Sequence, residues 1–84
     1  MRLDGKVVLI TGAGSGIGAA SARYMAELGA SVTLAGIPAQ GVDEVAAELA
    51  GRGAKTLAIP VDVTVDSQVK AAVVHTVEVF GRLD

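Results

Sequence analysis

Apolar and polar positions follow two different periods along the chain. Lys6-Val7-Val8-Leu9-Ile10-Thr11 is a short run rich in β-branched residues, bounded by Asp4-Gly5 and Gly12. Such a run without alternation predicts a strand covered on both faces. Glycines then crowd into 12–18, which predicts a loop. A helix is expected over 15–28, with Ile17, Ala20, Tyr24 and Leu28 as its buried stripe, Arg23 and Glu27 off it, and Gly29 as its C-terminal cap. Arg23 and Glu27, four apart, are placed to pair weakly. A second strand covers 31–35 and breaks at Gly36-Ile37-Pro38-Ala39. Val42, Val45, Ala46 and Leu49 mark a second amphipathic helix, stopped by Gly51-Arg52-Gly53, with Glu44, Glu48 and Arg52 on its solvated side. A third strand runs from Lys55 to about Asp62, with Pro60 near its end. Thr64 or Asp66 caps a third helix with the stripe Val69, Val73, Val77 and Phe80, ended by Gly81.

Strands alternating with helices predict an α/β fold, a parallel sheet joined by right-handed crossovers and covered on both faces. The order β-α-β-α-β-α corresponds to the N-terminal half of a doubly wound sheet with strand order 3-2-1. No linker or internal repeat divides the chain, so residues 1–84 read as one partial domain. In that order the first strand is central, and a fourth strand is its missing partner.

Composition narrows the picture. The 84 residues carry a formal net charge of -2, and the seven basic residues form no patch, which argues against nucleic acid as a partner. The absence of cysteine excludes a disulfide scaffold, and a single histidine, His75, leaves no metal site of the Cys/His kind. No apolar stretch approaches the roughly 20 residues of a membrane span, and the N-terminus has no signal-peptide pattern. A cytoplasmic location is the expectation. Only 2% of residues are aromatic, while 51% are hydrophobic and mean hydropathy is +0.55. A small domain standing alone usually needs staples that this chain lacks, so the composition resembles a piece cut from a larger α/β protein.

The glycine segment carries the chemistry. It lies between a strand and a helix, where free N–H groups and the positive end of the helix dipole favour an anion. Glycine lets the backbone turn sharply and approach a ligand without a Cβ in the way. No Lys-Ser or Lys-Thr follows, which excludes a P-loop. Gly14-Ser15-Gly16-Ile17-Gly18-Ala19 fits the general dinucleotide fingerprint G-x-G-x-x-A. A second frame, Thr11-Gly12-x-x-x-Gly16-x-Gly18 directly after a strand, is more specific.

With that frame, with Asp4-Gly5-Lys6-Val7-Val8-Leu9-Ile10 before it, with Asp62-Val63-Thr64 after the third strand and with Phe80-Gly81-Arg82-Leu83-Asp84, the chain resembles the classical short-chain dehydrogenases/reductases. The resemblance covers only the N-terminal, Rossmann-type cofactor-binding part of that family. It implies an NAD(P)-dependent oxidoreductase that passes hydride between a nicotinamide and an alcohol or carbonyl carbon. It also implies that Gly12, Gly16 and Gly18 shape the pyrophosphate turn, that Ser15 and Ile17 contact the phosphate and ribose, and that Asp62 accepts a bond from the adenine amino group beside Val63. Gly36 and Ile37 occupy the place after the second strand where an acid reads the ribose of NAD or a base the 2′-phosphate of NADP. Neither charge is present, and a 2′-phosphate without a cation is poorly compensated, so NAD is favoured over NADP.

The family's Tyr-x-x-x-Lys pair, serine and asparagine are not among these residues. The only tyrosine, Tyr24, is followed four residues on by Leu28, and there is no asparagine. No catalytic residue is assigned, and the chain is expected to be inactive alone. An alcohol or carbonyl substrate, and assembly into a homo-oligomer, are expectations for a full-length parent. The alternative is a standalone, non-catalytic nucleotide-binding module. With the 7–10 edge unpaired, the isolated chain is expected to be molten, aggregated or dimerised.

Overall fold

The computed structural model describes residues 2–84 and contains six elements: β1 (Val7–Thr11), α1 (Gly16–Glu27), β2 (Ser31–Gly36), α2 (Ala39–Gly51), β3 (Thr56–Pro60) and α3 (Asp66–Phe80). The strands form one parallel sheet in the order β1-β2-β3, which is the expected 3-2-1 read from the other edge. Val7 pairs with Ser31 and Thr11 with Ala35, while Val32 pairs with Thr56 and Gly36 with Pro60. All strand carboxyl ends therefore lie along one edge of the sheet. Pro60 is tolerated because it is the last residue of an edge strand.

Alternation along β2 creates two cores. Val32 and Leu34 join Ala19 and Ala22 of α1 and Val42, Val45, Ala46 and Leu49 of α2 in one cluster. Ala35 packs on the opposite face with Val61, Ala72 and half-buried Leu9, Ile59 and Val69. Thus α1 and α2 cover one face and α3 the other. The central strand is buried from Val32 through Gly36, whereas β1 is half-buried at 8–10 because its outer edge and part of its cover are open.

The second helix buries the stripe expected of it. The other two are rotated from expectation. In α1 the buried residues are Ala19 and Ala22, while Ile17 is 87% exposed and Tyr24 56% exposed. Alanines admit the close approach of this helix to the sheet, so the larger apolar side chains turn outward. In α3 the buried pair is Ala72 and Thr76, Val69 and Phe80 are half-buried, and Val73 and Val77 are exposed. Thr76 is kept inside by bonding: its hydroxyl lies 2.7 Å from the Ala72 carbonyl and 3.0 Å from the Thr33 hydroxyl across the interface.

Two polar expectations are also corrected. Arg23 pairs with Glu48 of α2 at 2.9 Å rather than with Glu27 one turn away, because α1 and α2 pack side by side. Glu48 is half-buried and also meets Arg52 at 3.3 Å, so this side of α2 is less solvated than expected. The residue preceding α3 is Val65, not Thr64 or Asp66; the turn is closed by Val65 donating its N–H to the Asp62 carbonyl at 3.0 Å. Asp66 instead sits in the first turn, where its charge suits the helix dipole.

Candidate nucleotide-binding site

The glycine loop leaves β1 at Thr11 and enters α1 at Gly16, with Ser15 extended just ahead of the helix. The Ala19 N–H donates to the Ser15 carbonyl at 3.3 Å, the first helical bond. The N–H groups of Gly16, Ile17 and Gly18 precede it and have no acceptor inside the helix. Gly12 and Gly16 have φ values of +63° and +58°, the left-handed region that favours glycine. A Cβ at either would meet nothing within 4 Å, so the loop's outer side is open. Gly18 differs: a Cβ there would overlap the Gly12 carbonyl oxygen. Its bareness lets α1 start directly against the loop.

The loop is held from two sides. The Ala13 N–H donates to the Ala35 carbonyl at 3.2 Å, tying it to the end of β2. Gly14 lies against the first turn of α2, where an added Cβ would come within 3.2 Å of the Val42 nitrogen. Gly41 faces it, and a Cβ there would stand 2.9 Å from the Gly14 carbonyl oxygen. Gly41 was not among the expected site residues. Its signal was a glycine inside a helix, which costs roughly 1 kcal/mol relative to alanine and so calls for a packing reason.

The other expected residues meet the loop at the same edge. Gly36 is buried beside the Gly12 and Ala13 nitrogens, and its carbonyl accepts the Val61 N–H at 3.0 Å. Ile37, next in sequence, is 61% exposed. Asp62 follows Val61 and is half-buried, with Val63 exposed beside it. Asp62 Oδ1 accepts the Thr64 hydroxyl at 2.6 Å and the Thr64 N–H at 3.0 Å. These bonds, the hydroxyl first, hold the Asp62 carboxyl below the usual carboxylate range. Oδ2 has no hydrogen-bond partner among the described residues, and the Asp62 N–H is anchored by Gln68 Oε1 at 2.9 Å. Thr64 is a second residue that sequence reasoning assigned elsewhere; it orients the acid.

The edge thus presents an open loop, the uncapped start of a helix and a carboxylate with one free oxygen. Bases are absent from 7–22, 36–51 and 56–69, the segments that form it. A cleft of about 700 Å³ lies at the opposite edge, lined by Asp4, Arg23, Glu27, Ser31, Arg52 and Lys55 among others. Its arginines are engaged with Glu48, and Asp4 with Arg2 at 3.0 Å, so it reads as an ion-paired crease around the ends of α1 and α2. Among the described residues no group of three His, Asp or Glu could hold a metal ion, and no helix is long and apolar enough to cross a membrane.

A parallel sheet covered on both faces, with a glycine turn into a helix at its carboxyl edge, defines the N-terminal layer of a dinucleotide-type α/β protein. Comparison with known proteins refines that class. The family model for short chain dehydrogenases matches residues 6–84, and the chain belongs to this family. It is 47% identical over 78 residues to the 3-hydroxyacyl-CoA dehydrogenase type-2 of Drosophila melanogaster, covering 93% of this chain and 29% of that protein. It is 40% identical over 84 residues to a 3-oxoacyl-acyl-carrier-protein reductase of Thermotoga maritima, covering 100% of this chain and 34% of that one. Among solved structures, a hydroxysteroid dehydrogenase from Escherichia coli superposes with a TM-score of 0.95 at 36% identity, over 99% of this chain and 34% of the other. A short chain dehydrogenase/reductase from Burkholderia phymatum in complex with NAD gives the same TM-score and identity, with 99% and 30% covered. The chain spans about a third of the length of these relatives.

Proposed function

We propose that residues 1–84 are the cofactor-binding N-terminal part of an NAD(P)-dependent oxidoreductase that moves hydride between a nicotinamide and an alcohol or carbonyl carbon. The observation that carries this reading is the convergence of the open glycine turn, the unpaired first turn of α1 and the free oxygen of Asp62 at one sheet edge. Gly12, Gly16 and Gly18 form the turn that receives the pyrophosphate, with Ser15 and Ile17 against the phosphate and ribose. Gly36 and Ile37 border the adenosine ribose. Asp62 offers Oδ2 to the adenine amino group, and Val63 lies against the ring. When bound, the nicotinamide supplies the hydride chemistry; these residues bind and orient it. The base-free segments around the edge favour NAD over NADP. Tyr24, the only tyrosine in the sequence, faces solvent from α1 and is followed four residues on by Leu28, and these residues are assigned no catalytic part. A cytoplasmic enzyme fits this reading.

Calorimetric titration of the full chain with NAD, NADP and AMP tests it. NAD is expected to bind more tightly than NADP, with AMP retaining part of the affinity through Asp62. Absence of binding by either dinucleotide overturns the reading, and NADP binding at least as tightly as NAD overturns the preference.

A further inference from the structure

Asp62 is tied down at every polar atom but one. Its N–H donates to Gln68 Oε1 at 2.9 Å, and its carbonyl accepts the Val65 N–H at 3.0 Å. Its Oδ1 accepts the hydroxyl and the N–H of Thr64 at 2.6 and 3.0 Å. Only Oδ2 is left over among the described residues. The chain just ahead is fixed as well, since Val61 is buried and donates its N–H to the Gly36 carbonyl at 3.0 Å.

The Gln68 contact departs from ordinary helix capping. Gln68 is the third residue of α3, and Val65 precedes the helix. A glutamine at that place commonly reaches back to the N–H of the residue just ahead of the helix. Here the Val65 N–H is taken by the Asp62 carbonyl, and the Gln68 side chain reaches three residues farther, to Asp62 itself. Nor does the bond rescue a buried group. Gln68 is exposed and Asp62 half-buried, so water could serve the Asp62 N–H. What the bond does is fix a direction. A turn of the Asp62 side chain breaks the Thr64 bonds, and a turn of its backbone breaks the Gln68 bond.

We propose that Gln68 is a positioning residue for base selection: by tying the Asp62 amide to the first turn of α3 it aims Oδ2 at an amino group, and the site thereby prefers adenine over a base with a carbonyl at that position. The inference rests on the proposed reading of Asp62 as the acceptor for the adenine amino group. A carboxylate oxygen accepts from an amino donor and repels a carbonyl oxygen. An Oδ2 free to swing aside gives up part of the bond and also escapes the repulsion, so the difference between the two bases shrinks. Hypoxanthine carries a carbonyl where adenine carries the amino group, which makes it the matching probe.

Titration of the full chain with NAD and with nicotinamide hypoxanthine dinucleotide, together with amide hydrogen exchange at Asp62, tests this in the native protein and in the Q68A and Q68E variants. Q68A is expected to speed Asp62 exchange about five- to tenfold, the loss of one hydrogen bond. It is also expected to cut the preference for NAD several-fold, mostly through weaker NAD binding. Q68E keeps an oxygen acceptor and is expected to restore both. A residue that only capped α3 would lower the denaturation midpoint and leave the preference alone, so an unchanged preference in Q68A overturns the proposal. Unchanged Asp62 exchange in Q68A overturns it too. Should Q68A fail to fold, the native protein decides. Linkage requires that a base held by the aimed Oδ2 protect the Asp62 amide in return. NAD must then slow Asp62 exchange more than the hypoxanthine dinucleotide does, and equal slowing overturns the proposal. Binding of neither dinucleotide overturns the proposed function, whereas equal binding of both by the native protein overturns this inference alone.

Discussion

Two glycines of the turn are required for different reasons, and substitution separates them. At Gly12 the constraint is the left-handed backbone, with open space around a Cβ. Alanine there is expected to cost about 1–2 kcal/mol, and asparagine less, since it tolerates that region. At Gly18 the constraint is the Gly12 carbonyl. Alanine there is expected to cost on the order of 1–3 kcal/mol through overpacking, and asparagine more. Chemical denaturation of the full chain checks the order, and a G18N variant milder than G18A would contradict it. Asp62 gives a pH test. Its folded-state pKa is lowered by Thr64, so the stability it contributes is present above the ordinary carboxylate range and lost as pH falls through the folded value. Thr64→Val removes the 2.6 Å hydroxyl bond and keeps the backbone bond. The Asp62 carboxyl is then expected to titrate at higher pH, followed by its carbon NMR signal; no upward movement would show that the hydroxyl is not the main cause.

At the level of elements, α3 is registered over β2 by the Thr33–Thr76 pair, both fully buried. Thr76→Val leaves the Thr33 hydroxyl without its partner, and is expected to cost about 1–3 kcal/mol. The double change Thr33→Val with Thr76→Val is expected to recover much of that loss, because no buried hydroxyl is stranded. Denaturation midpoints of both variants check this. The same pair shows where sequence reading stops. Strand and helix order, the α2 stripe and the glycine turn were legible because period, β-branching and glycine placement each report a local constraint. The faces of α1 and α3 were not. A stripe rule favours the longest apolar residues, Ile17, Tyr24, Val73 and Val77, whereas helices close on this sheet through Ala19, Ala22 and Ala72. Thr76 is buried by a bond to another element, which hydropathy does not register. Within the site, Gly12, Gly16 and Gly18 announced themselves by spacing; Gly41 and Thr64 act through contacts that exist only once the elements meet.

At the scale of the molecule, one sheet edge is nearly bare. Leu9 and Thr11 offer unpaired backbone groups, and Val73, Val74 and Val77 leave apolar surface on α3. Open apolar edges of this kind promote association between copies. The 84-residue chain is therefore expected to sediment as dimers or larger species. A monomer at every concentration tested would show that the three-stranded layer keeps its open edge without a partner.

The facing glycines at 14 and 41 carry a lesson for redesign. Because the two backbones touch, the glycine turn and the start of α2 form one rigid joint. Any side chain grafted at 41 to recruit a different dinucleotide would lever the turn out of place and sacrifice grip for choice. Ile37 stands outside that joint and faces solvent. Under the proposed function, it is the position where a change of side chain would alter cofactor preference without disturbing the joint.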